Sequence, residues 1–312
     1  MKKKKRKKKY SVDFKRFIPF VICFLLIVFT FFKLCNFIYS NFKNKNIMTN
    51  NTLENNIVES VDNSISNAIS GETEDKEHVS KAVKLSNGEK SKNSLAVLMY
   101  HYFYDTSKGE KGKNGNWMEI SKFEEQLKYL KENDYYFPTW EEVADFVDGK
   151  VDLPKKSVVV TMDDGHKSLY KLAIPLLDKY KIPATAFIIT KKFDTSKLEK
   201  YKNSTIIFQS HTNDMHHGGG TYGHGGIFPV LSLEKSVADL KKSIEKLGGN
   251  ADVLAYPYGD CTERTKVAAE KAGMILAFTT VNKKVTPGMN KYELPRVRIS
   301  GEITLKGFSN SI

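Results

Sequence analysis

The sequence predicts an α/β fold: a distorted, TIM-like (β/α) barrel of about seven parallel strands, preceded by one transmembrane helix and a disordered stalk. Apolar runs of strand length alternate with helical patterns from residue 95 onwards, as is typical of a parallel sheet covered by helices. Polar side chains follow at least four of these runs. Because parallel strands all end at one edge, four contributing strands favour a closed barrel over a doubly wound sheet.

The predicted strands and helices follow one another closely. Strands are expected at residues 95–100, 157–160, 184–190, 205–208, 253–256, 275–279 and 297–299. Helices are expected from residue 121, from residue 139, and at residues 169–180, 233–247 and 262–272. Thr139 and Glu142 have the spacing of a capping box, which predicts that a helix begins there.

The positive charge of the chain is concentrated at its N-terminus. The 312 residues carry a formal net charge of +13. Ten basic residues and one acidic residue within the first sixteen positions account for +9 of it, with an unbroken basic run at residues 2–9. The rest of the chain is therefore nearly balanced, which argues against a nucleic-acid partner, while a basic block beside a membrane segment is typical of contact with anionic lipid.

Residues 17–39 are predicted to form an uncleaved transmembrane anchor. Residues 17–32 carry no charge, and Lys33 lies near enough to the end to reach the membrane interface. A spanning helix needs roughly 20 apolar residues, which this segment supplies. The basic flank predicts a cytoplasmic N-terminus, a single pass through the cell membrane and an extracellular remainder. A cleaved signal peptide is the alternative, but no small-x-small cleavage site follows the apolar run.

Four segments follow from this organisation: a basic cytoplasmic segment at 1–16, the anchor at 17–39, a flexible extracytoplasmic stalk at 40–92 and a folded domain at 93–312. The stalk is rich in Asn, Ser, Glu and Lys and has few aromatic residues, so it cannot bury a core. Cys261 is the one cysteine beyond the anchor, so the domain has no intramolecular disulfide and must be stabilised by its core.

Two polar clusters at predicted strand ends indicate a metal site. Asp163 and Asp164 directly follow one strand, and burying two adjacent carboxylates is costly unless a cation or a proton neutralises them. About 50 residues later, His211 and His216 follow another strand. Carboxylate and imidazole together are ligands for a divalent metal ion. For the aspartates alone, an ordinary Asp-Asp-Gly turn remains the alternative.

Three short motifs support this interpretation through a resemblance. They are Thr-Met-Asp-Asp-Gly at residues 161–165, His-Thr at 211–212 with His216, and Ala-Tyr-Pro-Tyr-Gly at 255–259. In this order and spacing they resemble the T-F-D-D-G, His-Ser/Thr-His and R-x-P-Y motifs of the polysaccharide deacetylases, the NodB-homology domain of carbohydrate esterase family 4. The resemblance covers residues 95 to about 300, which is about two thirds of the chain.

The departures from the family pattern are also informative. His211 and His216 are five residues apart instead of four, and Ala255 stands where the third motif has its arginine. The D-x-x-D-W and late L-x-H motifs are missing from the sequence. These changes resemble the rearranged branch that contains the biofilm poly-N-acetylglucosamine deacetylases. In that branch a histidine from the first strand enters the site, which His101 matches, and Arg296 offers a late arginine in place of the missing one.

The resemblance implies a cofactor and its ligands. One divalent metal ion would be bound by Asp164, His211 and His216, with zinc favoured and cobalt, nickel or iron as alternatives. A metal held by one carboxylate and two imidazoles keeps positions open for water and a substrate carbonyl, so elementary coordination chemistry agrees with this ligand set.

The resemblance also implies the catalytic set, in which Asp163 is the general base, His101 as an imidazolium is the general acid, and Arg296 completes the group. Pro257 and Tyr258 would contact the substrate, with a backbone N–H of the Tyr258 loop completing an oxyanion site.

The function implied is metal-dependent hydrolysis of N-acetyl groups from N-acetylglucosamine residues of an extracellular polysaccharide, with poly-N-acetylglucosamine favoured. Two alternatives remain open: a peptidoglycan N-acetylglucosamine deacetylase, and a catalytically inactive, membrane-anchored glycan-binding domain. The expected partners are the polysaccharide substrate and, through the anchor, membrane lipid, but no nucleic acid. The sequence assigns no oligomeric state, and no role to His166, His217 or His224.

Overall fold

The computed structural model describes residues 78–86, 89 and 91–312. The predicted basic segment at 1–16, the predicted anchor at 17–39 and most of the predicted stalk lie outside these residues. No helix within the described part of the chain is long and apolar enough to cross a membrane. The anchor and the stalk therefore stay predictions.

Eleven β-strands are present in the described residues. In chain order, β1 to β11 span Val83–Lys84, Ala96–Tyr100, Tyr102–Tyr104, Trp117–Glu119, Val151–Asp152, Val158–Met162, Ala184–Ile188, Ile206–Ser210, Val253–Ala255, Leu276–Asn282 and Leu294–Arg298. Seven of them form a closed barrel in the order β10, β11, β2, β6, β7, β8, β9, with β9 pairing back onto β10. Every pairing within the barrel is parallel. The predicted barrel of seven parallel strands is confirmed.

Seven α-helices accompany the strands in the same part of the chain. In chain order, α1 to α7 span Ile120–Glu132, Trp140–Val147, Ile174–Tyr180, Ser196–Lys200, Leu233–Lys246, Glu263–Ala272 and Leu305–Ser311, and a π-helical stretch at Leu169–Ala173 leads directly into α3. The predicted capping box is present, because Thr139 accepts a hydrogen bond from the Glu142 amide while the Glu142 carboxylate accepts one from the Thr139 amide. Thr262 caps α6 in the same manner.

Alternation along the strands divides the core into two layers. On β2, Ala96, Leu98 and Tyr100 pack outward with residues of α1 and α3, whereas Val97 packs into a separate cluster inside the barrel. This two-residue period is the geometry of an extended strand that is covered on both faces. Trp140, at the start of α2, belongs to the inner cluster, with its ring 5.2 Å from Phe278. The barrel interior is therefore largely filled with apolar side chains.

Several elements lie outside the sequence prediction. β3 and β4 form a short parallel pair beside the barrel, and α4 and α7 are additional helices. Within the C-terminal part of the predicted stalk at 40–92, β1 pairs antiparallel with β5, and the Leu85 amide donates to the Lys150 carbonyl. This end of the segment predicted as a stalk therefore lies against the domain. A two-residue strand has too little sequence to show a period, so only its tertiary contact reveals it.

Candidate metal centre and active site

Asp164, His211 and His216 converge at the carboxyl edge of the barrel. Asp164 follows β6, and the two histidines lie at and beyond the end of β8. One ligand atom of each residue lies within 4.8 Å of the others. The Oδ1 atom of Asp164 is 3.5 Å from His211 Nε2 and 3.4 Å from His216 Nε2. The structure therefore brings together the three residues predicted to bind the metal ion.

The surroundings of these side chains suit a metal ion. His211 is buried, and its Nδ1 lies 2.7 Å from the Ala255 carbonyl oxygen, which directs Nε2 towards Asp164. The Tyr102 hydroxyl donates to Oδ2 of Asp164 and leaves Oδ1 for the centre. A supporting hydrogen bond behind a ligand, present here for His211 and Asp164, is the arrangement that orients metal-binding side chains. The donor set of one carboxylate oxygen and two imidazole nitrogens fits a divalent ion such as zinc.

The charges at this centre favour an ionised carboxylate. Burial raises the pKa of Asp164, but hydrogen bonds and charge from His211, together with the Tyr102 hydroxyl, hold it well below its ordinary value. Burial lowers the pKa of His216. Burial acts in the same direction on His211, but the Asp164 and Asp163 carboxylates raise the pKa of that imidazole above its ordinary value, so metal binding at His211 requires the loss of a proton. A deprotonated carboxylate and a neutral imidazole are the states in which these side chains bind metals.

Hydrogen bonds to neighbouring side chains stabilise the loop between the two histidines. Thr212 has a left-handed backbone, with φ 68°, and its amide donates to the Ser210 hydroxyl. The Asp239 carboxylate, on α5, accepts hydrogen bonds from the Asn213 amide at 2.8 Å and the Asp214 amide at 2.9 Å. These contacts support the five-residue spacing of the histidines and bring His216 back to face Asp164.

Asp163 is paired with Arg296, which comes from the middle of β11. Both side chains are buried, and the guanidinium nitrogens lie 2.8 and 2.7 Å from the two carboxylate oxygens. Arg296 also donates from Nε to the Thr279 carbonyl. Burial alone would raise the pKa of Asp163, but the charge and hydrogen bonds of Arg296 hold it below its ordinary value. Arg296 thus lies where a charge partner for Asp163 is needed.

His101 follows β2 on the other side of Asp163, with its Nε2 atom 4.0 Å from Asp163 Oδ2. Burial lowers the pKa of His101 below its ordinary value, although the two neighbouring aspartates act in the opposite direction. A neutral imidazole is therefore favoured at neutral pH. His101 must therefore gain a proton before it can act as the predicted imidazolium acid.

Pro257 and Tyr258 lie in a short 3₁₀ turn after β9. Tyr258 has a left-handed backbone, with φ 60°, and its ring packs against His216 at 4.6 Å between centroids. Gly259 must be a glycine, because a Cβ atom there would lie 2.1 Å from the Thr280 hydroxyl oxygen. The turn therefore lies beside the metal-ligand cluster, and the oxyanion role of the Tyr258 loop stays a prediction.

Several of the side chains described above line a common cleft of about 300 Å³. Its walls include His101, Asp163, Asp164, His211, His216 and Tyr258. A second cleft of about 540 Å³ also reaches Asp164 and His216, and thereby extends the space beside the centre. Clefts at the carboxyl edge of a barrel are the usual location of a catalytic site.

Tyr102 and Asp239 are two site residues that the sequence did not predict. Tyr102 directly follows His101, so its place beside a strand end was a usable signal. Asp239 lies on a helix and has no local pattern that sets it apart from a solvent-exposed acid. Of the histidines left without a role, His224 lines the cleft. His166 packs edge-on against Tyr102, and His217 is exposed with Nδ1 near the Gly218 carbonyl.

Comparison with known proteins agrees with this site. Residues 150–277 match the family model described as polysaccharide deacetylase. The chain is 33% identical, over 238 residues, to the poly-β-1,6-N-acetyl-D-glucosamine N-deacetylase of Staphylococcus aureus strain MRSA252, and the match covers 67% of this chain and 80% of the relative. It is 32% identical to the protein of the same name from Staphylococcus epidermidis, with 68% and 81% covered.

Solved structures show a similar fold. IcaB from Ammonifex degensii matches with a TM-score of 0.59 and 26% identity, covering 70% of this chain and 97% of that one. A polysaccharide deacetylase from Bacillus cereus matches with a TM-score of 0.58 and 28% identity, covering 70% and 69%. From the Staphylococcus relatives and the family model, the chain belongs to the polysaccharide deacetylase family of hydrolases.

Proposed function

We propose that this enzyme removes N-acetyl groups from N-acetylglucosamine residues of poly-β-1,6-N-acetylglucosamine, and that it depends on a divalent metal ion, with zinc favoured. The observation that carries the proposal is the convergence of Asp164, His211 and His216 beside the buried Asp163–Arg296 pair. The substrate is suggested by relatives that are named for deacetylating this polymer and that match at 33% and 32% identity.

Asp164, His211 and His216 would hold a divalent ion, which would supply a Lewis acid for the acetamide carbonyl and would lower the pKa of a water molecule. Asp163 is the base that accepts a proton from the attacking water at a carboxylate oxygen, and Arg296 keeps that carboxylate ionised until then. The turn at Tyr258 provides a wall of the cleft against which the acetamide is positioned. Water is added across the amide C–N bond, so the products are acetate and a free amine.

His101 is the proposed acid for the departing nitrogen. Because burial favours its neutral form, the imidazole first takes up a proton and then releases it to the amine. The proton that Asp163 accepts from water can pass to His101, because His101 Nε2 lies 4.0 Å from Asp163 Oδ2. This sequence returns both side chains to their starting states.

We further propose that the enzyme acts outside the cell while anchored in the cell membrane by residues 17–39, with residues 1–16 in the cytoplasm. The support is the apolar segment that follows a dense basic block. An external polymer is too large to enter the cytoplasm, so an extracellular active site and a polysaccharide substrate are mutually consistent.

Acetate release separates the candidate functions. The full chain, purified in detergent and loaded with zinc, should release acetate from poly-β-1,6-N-acetylglucosamine faster than from peptidoglycan, and Asp163→Asn should abolish release from both. Faster release from peptidoglycan would support the second candidate, a peptidoglycan deacetylase. Binding of glycan without acetate release would support the inactive glycan-binding domain, against which the intact Asp163–Arg296 pair argues.

A further inference from the structure

A second histidine–carboxylate pair borders the catalytic cleft. Asp260 directly follows the Pro257–Gly259 turn, and His224 lies in the glycine-rich stretch at residues 218–226. The His224 Nδ1 atom is 2.9 Å from Asp260 Oδ1. His224 also lines the cleft that contains His101 and the metal-ligand cluster. Neither residue has a part in the chemistry proposed above.

The Asp260 side chain stabilises the glycine-rich loop by accepting hydrogen bonds from its backbone. This side chain is 2% exposed, and it accepts hydrogen bonds from the backbone amides of His224 at 2.9 Å and Gly226 at 3.2 Å. Gly223 has φ +56°, and a Cβ atom there would lie 2.1 Å from the Asp260 carboxylate. The loop can therefore close onto this carboxylate only with glycine at residue 223.

The imidazole of His224, unlike the backbone of its own loop, is not needed to hold the loop against Asp260. The two backbone amides already give the buried carboxylate partners on both oxygens, so the loop is fastened without the imidazole. The His224 side chain is 70% exposed, yet its Nδ1 is held by Asp260. Because Nδ1 is the bound nitrogen, Nε2 is left available at the edge of the cleft.

We propose that His224 binds a sugar hydroxyl of the glycan substrate and that Asp260 is the positioning residue that orients its ring. The proposal rests on the deacetylase function proposed above. A neutral hydroxyl fits this pair better than an anion, because the Asp260 carboxylate lies 2.9 Å behind the imidazole and repels negative charge. A hydroxyl can also donate to a neutral Nε2 or accept from a protonated one, so it suits either state.

The test uses a β-1,6-linked N-acetylglucosamine pentasaccharide and the full chain in detergent. The Kd of the pentasaccharide is measured by calorimetry on metal-free protein. Its KM and kcat are measured from the acetate that zinc-loaded protein releases from it. Loss of one hydrogen bond to a neutral ligand should raise Kd and KM of His224→Ala roughly 3- to 10-fold, with a smaller change in kcat. Asp260→Asn should also raise Kd and KM. The Kd and KM of the double variant should be no higher than those of the worse single variant, because both substitutions remove the same interaction.

Tyr222→Ala is the matched control, since Tyr222 is an exposed residue of the same glycine-rich stretch and lines neither of the two clefts beside the metal-ligand cluster. Its Kd and KM should stay at the wild-type values. An unchanged Kd and KM in His224→Ala would overturn the inference even if Asp260→Asn fails to fold, as would a loss of kcat at constant KM. Wild-type binding without acetate release would contradict the proposed function alone, and no saturable wild-type binding would overturn the inference.

Discussion

Replacement of Arg296 by methionine should strongly destabilise the barrel. The substitution keeps an unbranched side chain but removes both hydrogen bonds to Asp163 and the bond to the Thr279 carbonyl. Removing one partner of a buried ion pair costs about 3–5 kcal/mol, because the other charge stays buried without compensation. A domain has roughly 5–15 kcal/mol of unfolding free energy in total. We therefore expect Arg296→Met to fold but to unfold at much lower urea concentration than the wild type.

The pH dependence of this loss identifies its cause. In the wild type the pKa of Asp163 is depressed, so the pair stabilises the fold above the unfolded-state pKa of about 3.9 and the effect is lost as pH falls through the lower folded-state pKa. In metal-free Arg296→Met, burial raises the pKa of Asp163 instead. The difference in unfolding free energy between variant and wild type should therefore be largest at neutral pH and shrink in acid.

The control for this prediction is Arg298→Met, two residues along the same strand. Arg298 is exposed, and its guanidinium contacts the Asn116 side-chain oxygen instead of a buried charge. Its replacement should change the unfolding free energy by less than about 1 kcal/mol. Two results of urea titrations would refute this prediction. One is that Arg296→Met lowers the unfolding free energy no more than Arg298→Met does, and the other is that its effect is the same at neutral pH and in acid.

The remaining predictions concern the site and the anchor. His211→Ala should lose most of its bound metal ion, and Tyr102→Phe, which removes the hydrogen bond to Asp164, should weaken divalent-ion affinity about 10- to 100-fold. Elemental analysis and competition with a chelating dye measure both, and unchanged occupancy in His211→Ala would contradict the ligand assignment. His101→Ala should keep its metal ion but lose about 10²- to 10⁴-fold in kcat for acetate release, whereas a near-wild-type rate would exclude it as the acid. Protease added to intact cells should release a fragment that begins within residues 41–92, whereas spontaneous appearance in the medium of protein beginning near residue 40 would indicate a signal peptide.

The sequence alone determined the seven strands of the barrel, although their predicted ends differ by up to three residues from those of the structure. All seven barrel strands were predictable, because strands buried on both faces have short apolar runs that alternate regularly with helical patterns. The metal-ligand cluster was predictable for a related reason. Asp164 and His211 lie within four residues of the ends of predicted strands, and parallel strands bring the residues at their carboxyl ends to one edge whatever the details of packing.

Contacts between distant residues were decided only by the tertiary structure. The pairing of Arg296 with Asp163 joins residues 133 apart, and the hydrogen bond from Tyr102 to Asp164 joins residues 62 apart. Resemblance suggested that a late arginine was needed, but not that its guanidinium would contact both carboxylate oxygens. Asp239 and Asp260 have no local pattern, because their roles depend on which backbone amides the fold brings to them. Periodicity reports which face of an element is buried, whereas hydrogen-bond partners depend on how strand register and loop path combine in three dimensions.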